Sequence, residues 1–295
     1  MRVTEQSRLA ANVGYLNQVS AKLDELQGQL STGKRITRAS DDPAGSAISL
    51  GHRQDIAFET QMRRNLSSGS AFLNATDSAL ASAGDVLQRV RELTVEASND
   101  TMGSTERTAV AAEVNQLIGH LAQVGNTNFG GAYIFAGHKS DQPAYTTTGS
   151  PPTAVTFQGD TGARVRRISK QDAVPVNVIG GQVFGTLFQD LITLRDNLNG
   201  SQPGSVIAGS LQQIDAGIDR VLQARADVGA RVNRFESATA VSETTDTDLQ
   251  KLRADIEDID LPSTVVAFQA QQNAYEAALG TIGRTANMSL LNFLQ

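Results

Sequence analysis

The segment richest in groups that could do chemistry reads "LSTGKRITRASDDPAG" and runs over residues 30–45. Adjacent carboxylates can act in acid–base catalysis or bind a divalent cation, and a cluster of cations can contact phosphates. Three cations without interleaved aromatic residues are a weak nucleic-acid signal, so the composition favours a solvated or subunit-contacting joint. The charged residues of this segment are Lys34, Arg35, Arg38, Asp41 and Asp42.

The order of residues around the carboxylate pair favours a structural role. A residue before proline avoids helical angles, aspartate is a good N-cap, and proline suits the first helical turn. We therefore expect Asp42 to cap a helix that begins at Pro43. Gly33 is expected to end the preceding helix, because glycine accepts the left-handed conformation found at helix C-termini.

The remaining candidates for chemistry are weak. His52, His120 and His138 have no second histidine or cysteine at metal-ligand spacing. The pairs Gly130-Gly131 and Gly180-Gly181 are not followed by the lysine of a phosphate-binding loop and are expected to mark turns. The chain has no cysteine, which excludes disulfides and thiolate metal sites. The sequence therefore predicts no catalytic residue, no metal, no cofactor and no enzyme activity.

Composition narrows the class of protein further. The chain has 295 residues, 40 % of them hydrophobic and 5 % aromatic, with a net charge of −6. This predicts thin helical packing of aliphatic residues and argues against a nucleic-acid partner. No apolar run approaches the roughly 20 residues of a membrane helix, and the start does not resemble a cleavable signal. Residues alone would place the protein in the cytoplasm.

Heptad spacing of leucines dominates both halves of the chain. Leu66, Leu73, Leu80 and Leu87 are seven apart, and a longer repeat runs from Ile207 to Phe235, with Arg225 as its one charged position. A repeat of seven places a narrow apolar stripe on one helix face. Similar stripes near the two ends comprise Leu9, Leu16, Leu23, Leu30, Leu249, Leu252, Ile256, Ile259, Tyr275, Leu279 and Ile282.

The middle of the chain reads as a small β insertion. Two alternating runs flank residues 159–162 and predict a hairpin that turns there, and residues 173–179 predict an edge strand. The small polar residues 237–248 are expected to interrupt the returning helix as a second joint.

The symmetry of this pattern predicts a mainly α fold: an elongated helical rod with paired N- and C-terminal coiled-coil helices and a small β-rich insertion domain. Its expected domains are 1–38 with 245–295 for the terminal helices, 39–134 with 183–244 for the rod, and 135–182 for the insertion. A narrow seam is only partly buried by one partner helix, so the terminal helices should need neighbouring molecules.

Several stretches also resemble a known family. The segment 30–45, "LQRVRELTVEASNDT" (87–101), "ADVGARVNRFESA" (226–238) and "QQNAYEAALGTIGRTANMSLLNFLQ" (271–295) are similar to bacterial flagellins and flagellar hook-associated proteins. Within this group, "NTNFGGAYIFAGHKSDQPAY" and "AVPVNVIGGQVF" resemble the members that join hook to filament, the hook-associated protein 3 group.

The resemblance implies a structural subunit at the extracellular hook–filament junction, exported by the flagellar type III apparatus without signal cleavage, which replaces the cytoplasmic expectation. Implied partners are other copies in a ring, an adjacent hook-associated protein, flagellin, and a cytoplasmic export chaperone on the C-terminal helix. The surface that an innate Toll-like receptor detects in flagellins has matching residues here in Arg89, Leu93 and Glu113.

Two alternatives stay open at this point. One is a filament flagellin, which shares most of these motifs. The other is a coiled-coil enzyme or adhesin with a β head, which would need a convergent polar pocket that the sequence does not indicate.

Overall fold

A computed structural model describes the backbone of residues 5–293 and the side chains of residue 7 and residues 10–284. Long helices account for most of this part of the chain, so the mainly α prediction with a small strand-containing insertion is confirmed. The helices are α1 (Glu5–Thr32), α2 (Pro43–Ala97), α3 (Ser104–Gly125), α4 (Gly180–Val183), α5 (Leu187–Asn199), α6 (Gly204–Glu257) and α7 (Leu261–Phe293). The strands are β1 (Asn128–Phe129), β2 (Ala132–Tyr133), β3 (Tyr145–Thr148), β4 (Ala154–Phe157), β5 (Val165–Arg167) and β6 (Ala173–Pro175).

The chain divides into two compact units. The terminal unit comprises Met1–Phe58 and Thr245–Gln295, and the central unit comprises Glu59–Thr244. The three-part division expected from the sequence stays a prediction. No helix of the described part has the length and apolarity that crossing a bilayer demands.

The core of the central unit follows the heptad spacing. Leu66, Leu73, Leu80 and Leu87 of α2 are all fully buried. Helix α6 buries six positions of its repeat, namely Ile207, Ile214, Ile218, Val221, Val228 and Phe235, whereas Leu211 and Val232 are half-buried. Arg225, the charged position in this stripe, pairs with Asp77 of α2 across 3.1 Å. The cation therefore meets a carboxylate on the facing helix instead of lying unpaired in the apolar seam.

The strands form three separate antiparallel pairs, β1 with β2, β3 with β4, and β5 with β6. Gly130 and Gly131 make the tight turn of the first pair with φ of 60° and 83°, a conformation that favours glycine. An aromatic cluster packs beside these pairs: the ring centroids of Phe135 and Phe184 are 5.5 Å apart, and those of Tyr145 and Phe188 are 4.9 Å apart.

Residues 159–162 do not turn a hairpin, so that prediction is wrong. They connect β4 to β5, which belong to different pairs: Tyr145 is opposite Phe157, and Val165 is opposite Pro175. Asp160 holds the connection, because its Oδ1 accepts the N–H of His138 at 2.7 Å and that of Gly162 at 2.8 Å. Alternation identified the strands but could not identify their partners, since pairing depends on contacts distant in sequence.

The expected joint at residues 237–248 is also absent, because α6 is continuous through them. Hydroxyl groups there bond to carbonyls one turn earlier, as Thr239 Oγ1 does to Phe235 at 2.8 Å and Thr244 Oγ1 to Ala240 at 3.0 Å. Small polar residues are thus accommodated within a helix when their hydroxyls bond back to the preceding turn. The interruption lies further on, at residues 258–260 between α6 and α7.

Candidate assembly site

The terminal unit is built on the pairing of α1 with α7, the first and last long helices. Val19 and Leu26 are the buried apolar residues of α1 in the described part, and Ala278 is the one on α7. Gln271 Nε2 of α7 donates to the carbonyl of Val19 at 3.3 Å. A single partner helix therefore covers only the centre of each apolar seam.

None of the predicted stripe residues whose side chains are described is fully buried, and four of them (Leu249, Leu252, Ile256 and Ile259) lie outside α1 and α7. Leu252 and Leu279 are about half exposed, at 50 % and 46 %. The side chain of Leu9 lies outside the described residues. The other stripe positions are half-buried: Leu16, Leu23, Leu30, Leu249, Ile256, Ile259, Tyr275 and Ile282.

Large apolar side chains of this unit also face solvent. Val266 is 67 % exposed and Leu261 57 % exposed at the start of α7, and Tyr15 is 55 % exposed on α1. Fully burying one such side chain contributes about 1.5 to 3 kcal/mol. A neighbouring molecule that covered several of them would therefore stabilise the terminal unit by a few kcal/mol.

The polar segment between α1 and α2 is held to the end of α6. Gly33, with φ of +70°, ends α1, and its carbonyl accepts the N–H of Ile259 at 3.1 Å. The N–H of Arg35 donates to the carbonyl of Glu257 at 2.6 Å. Arg35 Nη2 also bonds to the carbonyl of Ile256 at 2.9 Å and to Asp42 Oδ2 at 3.2 Å. The segment therefore closes against the α6–α7 break by backbone and side-chain hydrogen bonds.

Glu257 is the central group of this junction. Its side chain is 1 % exposed. Lys34 Nζ lies 2.5 Å from Oε2, Arg53 Nη2 lies 2.7 Å from Oε1, and the hydroxyl of Ser49 donates to Oε1. Burial by itself would raise the pKa of this carboxyl, but hydrogen bonds from Lys34, Ser49 and Arg53 outweigh burial and lower the pKa to about 2. Glu257 is therefore ionised, and its ion pairs and hydrogen bond hold Lys34, Ser49 and Arg53 to the end of α6.

The two aspartates of the segment accept backbone hydrogen bonds. Asp42 Oδ1 accepts the N–H of Gly45 at 2.9 Å, in the N-cap position of α2. Asp41 Oδ2 accepts the N–H groups of Arg38 at 2.8 Å and Thr37 at 3.1 Å. These bonds lower the pKa of both carboxyls, chiefly through Gly45 for Asp42 and through Arg38 for Asp41. Asp41 Oδ2 and Asp42 Oδ1 therefore accept hydrogen bonds from the protein's own backbone. This arrangement positions α2, and the two carboxylates do not face each other as a catalytic or metal-binding pair would.

The three residues that match the surface detected by an innate Toll-like receptor in flagellins differ in their exposure to solvent. Arg89 and Glu113 are exposed and joined by a 2.8 Å ion pair. That pairing raises the pKa of Arg89, through the hydrogen bonds of Glu113 and then of Glu92. Leu93 is buried, with 2 % exposure. Detection by an innate receptor stays a prediction, and only Arg89 and Glu113 present their side chains for it.

Sequence reasoning missed Glu257, Ser49 and Arg53. Glu257 looks like one more acid in a charged stretch, and its partners lie about 200 residues earlier in the chain. A weak signal was available, because the apolar positions Ile256 and Ile259 flank it. Within the described residues, no group of three histidine, cysteine, aspartate or glutamate side chains could hold a metal ion.

The bacterial flagellin N-terminal helical region matches residues 4–140, and the bacterial flagellin C-terminal helical region matches residues 211–294. The two regions together cover most of the chain and contain all of the junction and the terminal helix pair. The chain belongs to the bacterial flagellin family, a class of flagellar structural proteins.

Relatives within the family include both hook-associated proteins and flagellar filament proteins. The chain is 27 % identical to flagellar hook-associated protein 3 of Salmonella typhimurium, over 98 % of each chain. It is 28 % identical to the flagellar filament 30.7 kDa core protein of Treponema maltophilum, over 92 % of each chain. Among solved structures, a putative flagellar hook-associated protein from Vibrio parahaemolyticus shares the fold with a TM-score of 0.68 at 19 % identity, covering 74 % of this chain and all of that one.

Proposed function

We propose that this protein is a structural subunit of the bacterial flagellum that joins the hook, through another hook-associated protein, to the flagellin filament. The observation that carries the proposal is the contrast between the two units. The central unit buries the four heptad leucines of α2 completely, whereas the terminal unit leaves Tyr15, Val266 and Leu279 between 46 % and 67 % exposed. A surface of this kind is expected where copies of the chain and neighbouring flagellar proteins cover each other.

The length of the alignment favours the junction role over the filament role. Hook-associated protein 3 aligns over 98 % of each chain, against 92 % of each chain for the Treponema maltophilum 30.7 kDa filament protein. The stretches that resemble this group also have a structural role, because Phe135 and Val174 are buried in the insertion and Ile134 is buried directly before it. These are interior positions, so their residue types affect packing between the aromatic cluster and the strands.

The filament alternative is kept because Treponema flagellar filament proteins match the chain at similar identity. Gene deletion separates the two roles. A strain that lacks a junction protein should build hooks and release flagellin into the medium, as seen by electron microscopy and immunoblotting. A strain that lacks its filament subunit should release no flagellin and keep its hooks and junctions.

We further propose export through the flagellar type III apparatus without signal cleavage, with a cytoplasmic chaperone covering the C-terminal helix before export. The support is the apolar surface of α7, which would promote aggregation in the cytoplasm if left uncovered. Mass spectrometry of the secreted protein should find the intact N-terminus. Recovery of a chain shortened at that end would contradict export without cleavage.

A further inference from the structure

An arginine-lined groove crosses one face of the central unit. Its floor is formed by α2 around Ser68 and by the β1–β2 hairpin, and two adjoining hollows of about 560 and 150 Å³ share Ser68 and Phe129. Phe129 is 38 % exposed and stands edge-on to the buried ring of Phe72, with ring centroids 6.1 Å apart. The groove therefore has an apolar floor and is large enough to accept a single apolar side chain.

The rim of this groove carries positive charge that the unit itself does not neutralise. Arg64, Arg164 and Arg166 form no ion pair with any carboxylate of the described residues. The guanidinium carbon of Arg164 lies 5.4 Å from the centre of the Phe72 ring, and its buried Nη1 has no hydrogen-bond partner there. An unsatisfied buried donor is costly, and an anionic ligand at the groove would relieve that cost.

A complementary surface exists on the same chain. Residues 243–260 contain seven acidic and two basic side chains, and five of the acidic ones lie outside the buried positions 246 and 257. On α6, Asp248, Leu252 and Asp255 occupy positions i, i+4 and i+7, which lie on one helix face. Leu252 is 50 % exposed, and its flanking carboxylates are exposed as well. Asp248 forms a long, exposed ion pair with Lys251, at 3.8 Å, which costs little to exchange for an arginine of another copy. We call this surface the acidic face.

We propose that the arginine groove of one copy binds the acidic face of a second copy, with Leu252 on the apolar floor and Asp248 and Asp255 against the arginines. The inference rests on the proposed function, because it specifies how copies of this subunit contact each other. Groove and acidic face are different patches, so the contact is heterologous and can repeat around a ring. A helix whose apolar residue is flanked by charges, laid in an oppositely charged groove, is a recurrent mode of recognition.

Cysteine cross-linking tests the contact directly, because the natural chain contains no cysteine. Full-length Ser68→Cys and Leu252→Cys variants are purified separately, mixed at high concentration and oxidised. We expect a disulfide-linked dimer that contains one copy of each variant. The matched control is Leu222→Cys, which is 52 % exposed on the same helix and should not cross-link to Ser68→Cys. Equal cross-linking of positions 222 and 252 would overturn the proposal.

Charge reversal supplies a second readout that does not depend on a disulfide. Arg166→Glu should weaken self-association by about tenfold in sedimentation equilibrium, as expected for loss of an interfacial charge contact. Mixing it with Asp255→Arg should restore part of the lost association, whereas Asp219→Arg, a reversal elsewhere on α6, should not. Recovery with Asp219→Arg, or no loss with Arg166→Glu, would refute the assignment.

Failure of this inference is distinguishable from failure of the proposed function. If a thiol-reactive photo-cross-linker attached to Ser68→Cys captures purified flagellin instead of a second copy, the occupant assigned here is wrong and the junction role stands. If deletion of the gene leaves hooks with normal filaments, the junction role is wrong. The cross-linking result would then still report whether copies of the chain bind each other through these surfaces.

Discussion

Replacing Glu257 with glutamine removes the carboxylate that joins the polar segment to α6. Glutamine keeps the size of the side chain but cannot carry the charge that Lys34 and Arg53 face at 2.5 and 2.7 Å. Because Glu257 is 1 % exposed, solvent cannot replace the lost interaction. We expect the contacts around Gly33 and Ile259 to open more often in the Glu257→Gln variant.

The pKa of Glu257 sets the magnitude. Its value in the folded protein is about 2, against 4.5 for a free glutamate. At 1.36 kcal/mol for each unit of pKa, ionised Glu257 stabilises the terminal unit by about 3 kcal/mol at neutral pH. Because the folded pKa lies below the unfolded one, this contribution is complete above pH 4.5 and is lost as the pH falls from 4.5 towards 2.

Backbone hydrogen exchange measured by mass spectrometry is the suitable assay, because it reports the opening of each unit separately. Peptides within residues 30–53 and 250–262 should lose about a hundredfold in protection in Glu257→Gln at pH 7, which corresponds to about 3 kcal/mol. Peptides from α3 should be unchanged. In the natural protein, the same junction peptides should lose protection between pH 5 and pH 3 beyond the change in intrinsic exchange rates, and the variant should not.

The control is Asp255→Asn, which neutralises an exposed carboxylate two residues earlier on α6. It should leave the protection of the junction peptides nearly unchanged. Equal protection of the natural protein and Glu257→Gln at pH 7 would refute the reasoning. So would a junction that is equally protected at pH 5 and pH 3 in the natural protein.

Three further predictions concern other parts of the chain. Leu16→Asp or Ile256→Asp should abolish swimming in soft agar and leave the circular dichroism of the central unit unchanged, because a charge at a covered apolar interface costs several kcal/mol; normal swimming with both changes would contradict the assembly role. Limited proteolysis of a soluble monomer should remove about 35 to 50 residues from each end before the central unit is cut, and equal resistance along the chain would count against ordering by assembly. Arg225→Met should change the unfolding free energy of the central unit by about 1 kcal/mol or less, because its pair with Asp77 is partly exposed; a loss of several kcal/mol in urea unfolding would show that the pair is a core contact.

Much of the fold was predictable because helical periodicity is a local property. The heptad that contains Leu66, Leu73, Leu80 and Leu87 predicted a buried stripe, and all four side chains are fully buried. The end of α1 at Thr32 and the start of α2 at Pro43 also followed from single residues, since glycine and proline restrict the backbone wherever they occur. Fold class and family could be recognised on the same local grounds.

Pairing and burial required the tertiary structure. Alternation around residues 159–162 could not identify the partners of these strands, because register depends on the partner strand. In the structure, β4 pairs with β3, which precedes it, and β5 pairs with β6, which follows it. Polarity at residues 237–248 suggested a break that hydroxyl hydrogen bonds make unnecessary.

The sequence by itself determined that the chain is mainly helical, where α1 ends and α2 begins, and which heptad positions of α2 form an apolar face. Tertiary structure alone decided that Glu257 is the ionised centre of the junction, and it placed Arg64 and Arg164 beside Phe129. The physical reason is that the pKa and exposure of a charged side chain depend on groups brought together from distant parts of the chain, whereas its helical position depends on its near neighbours.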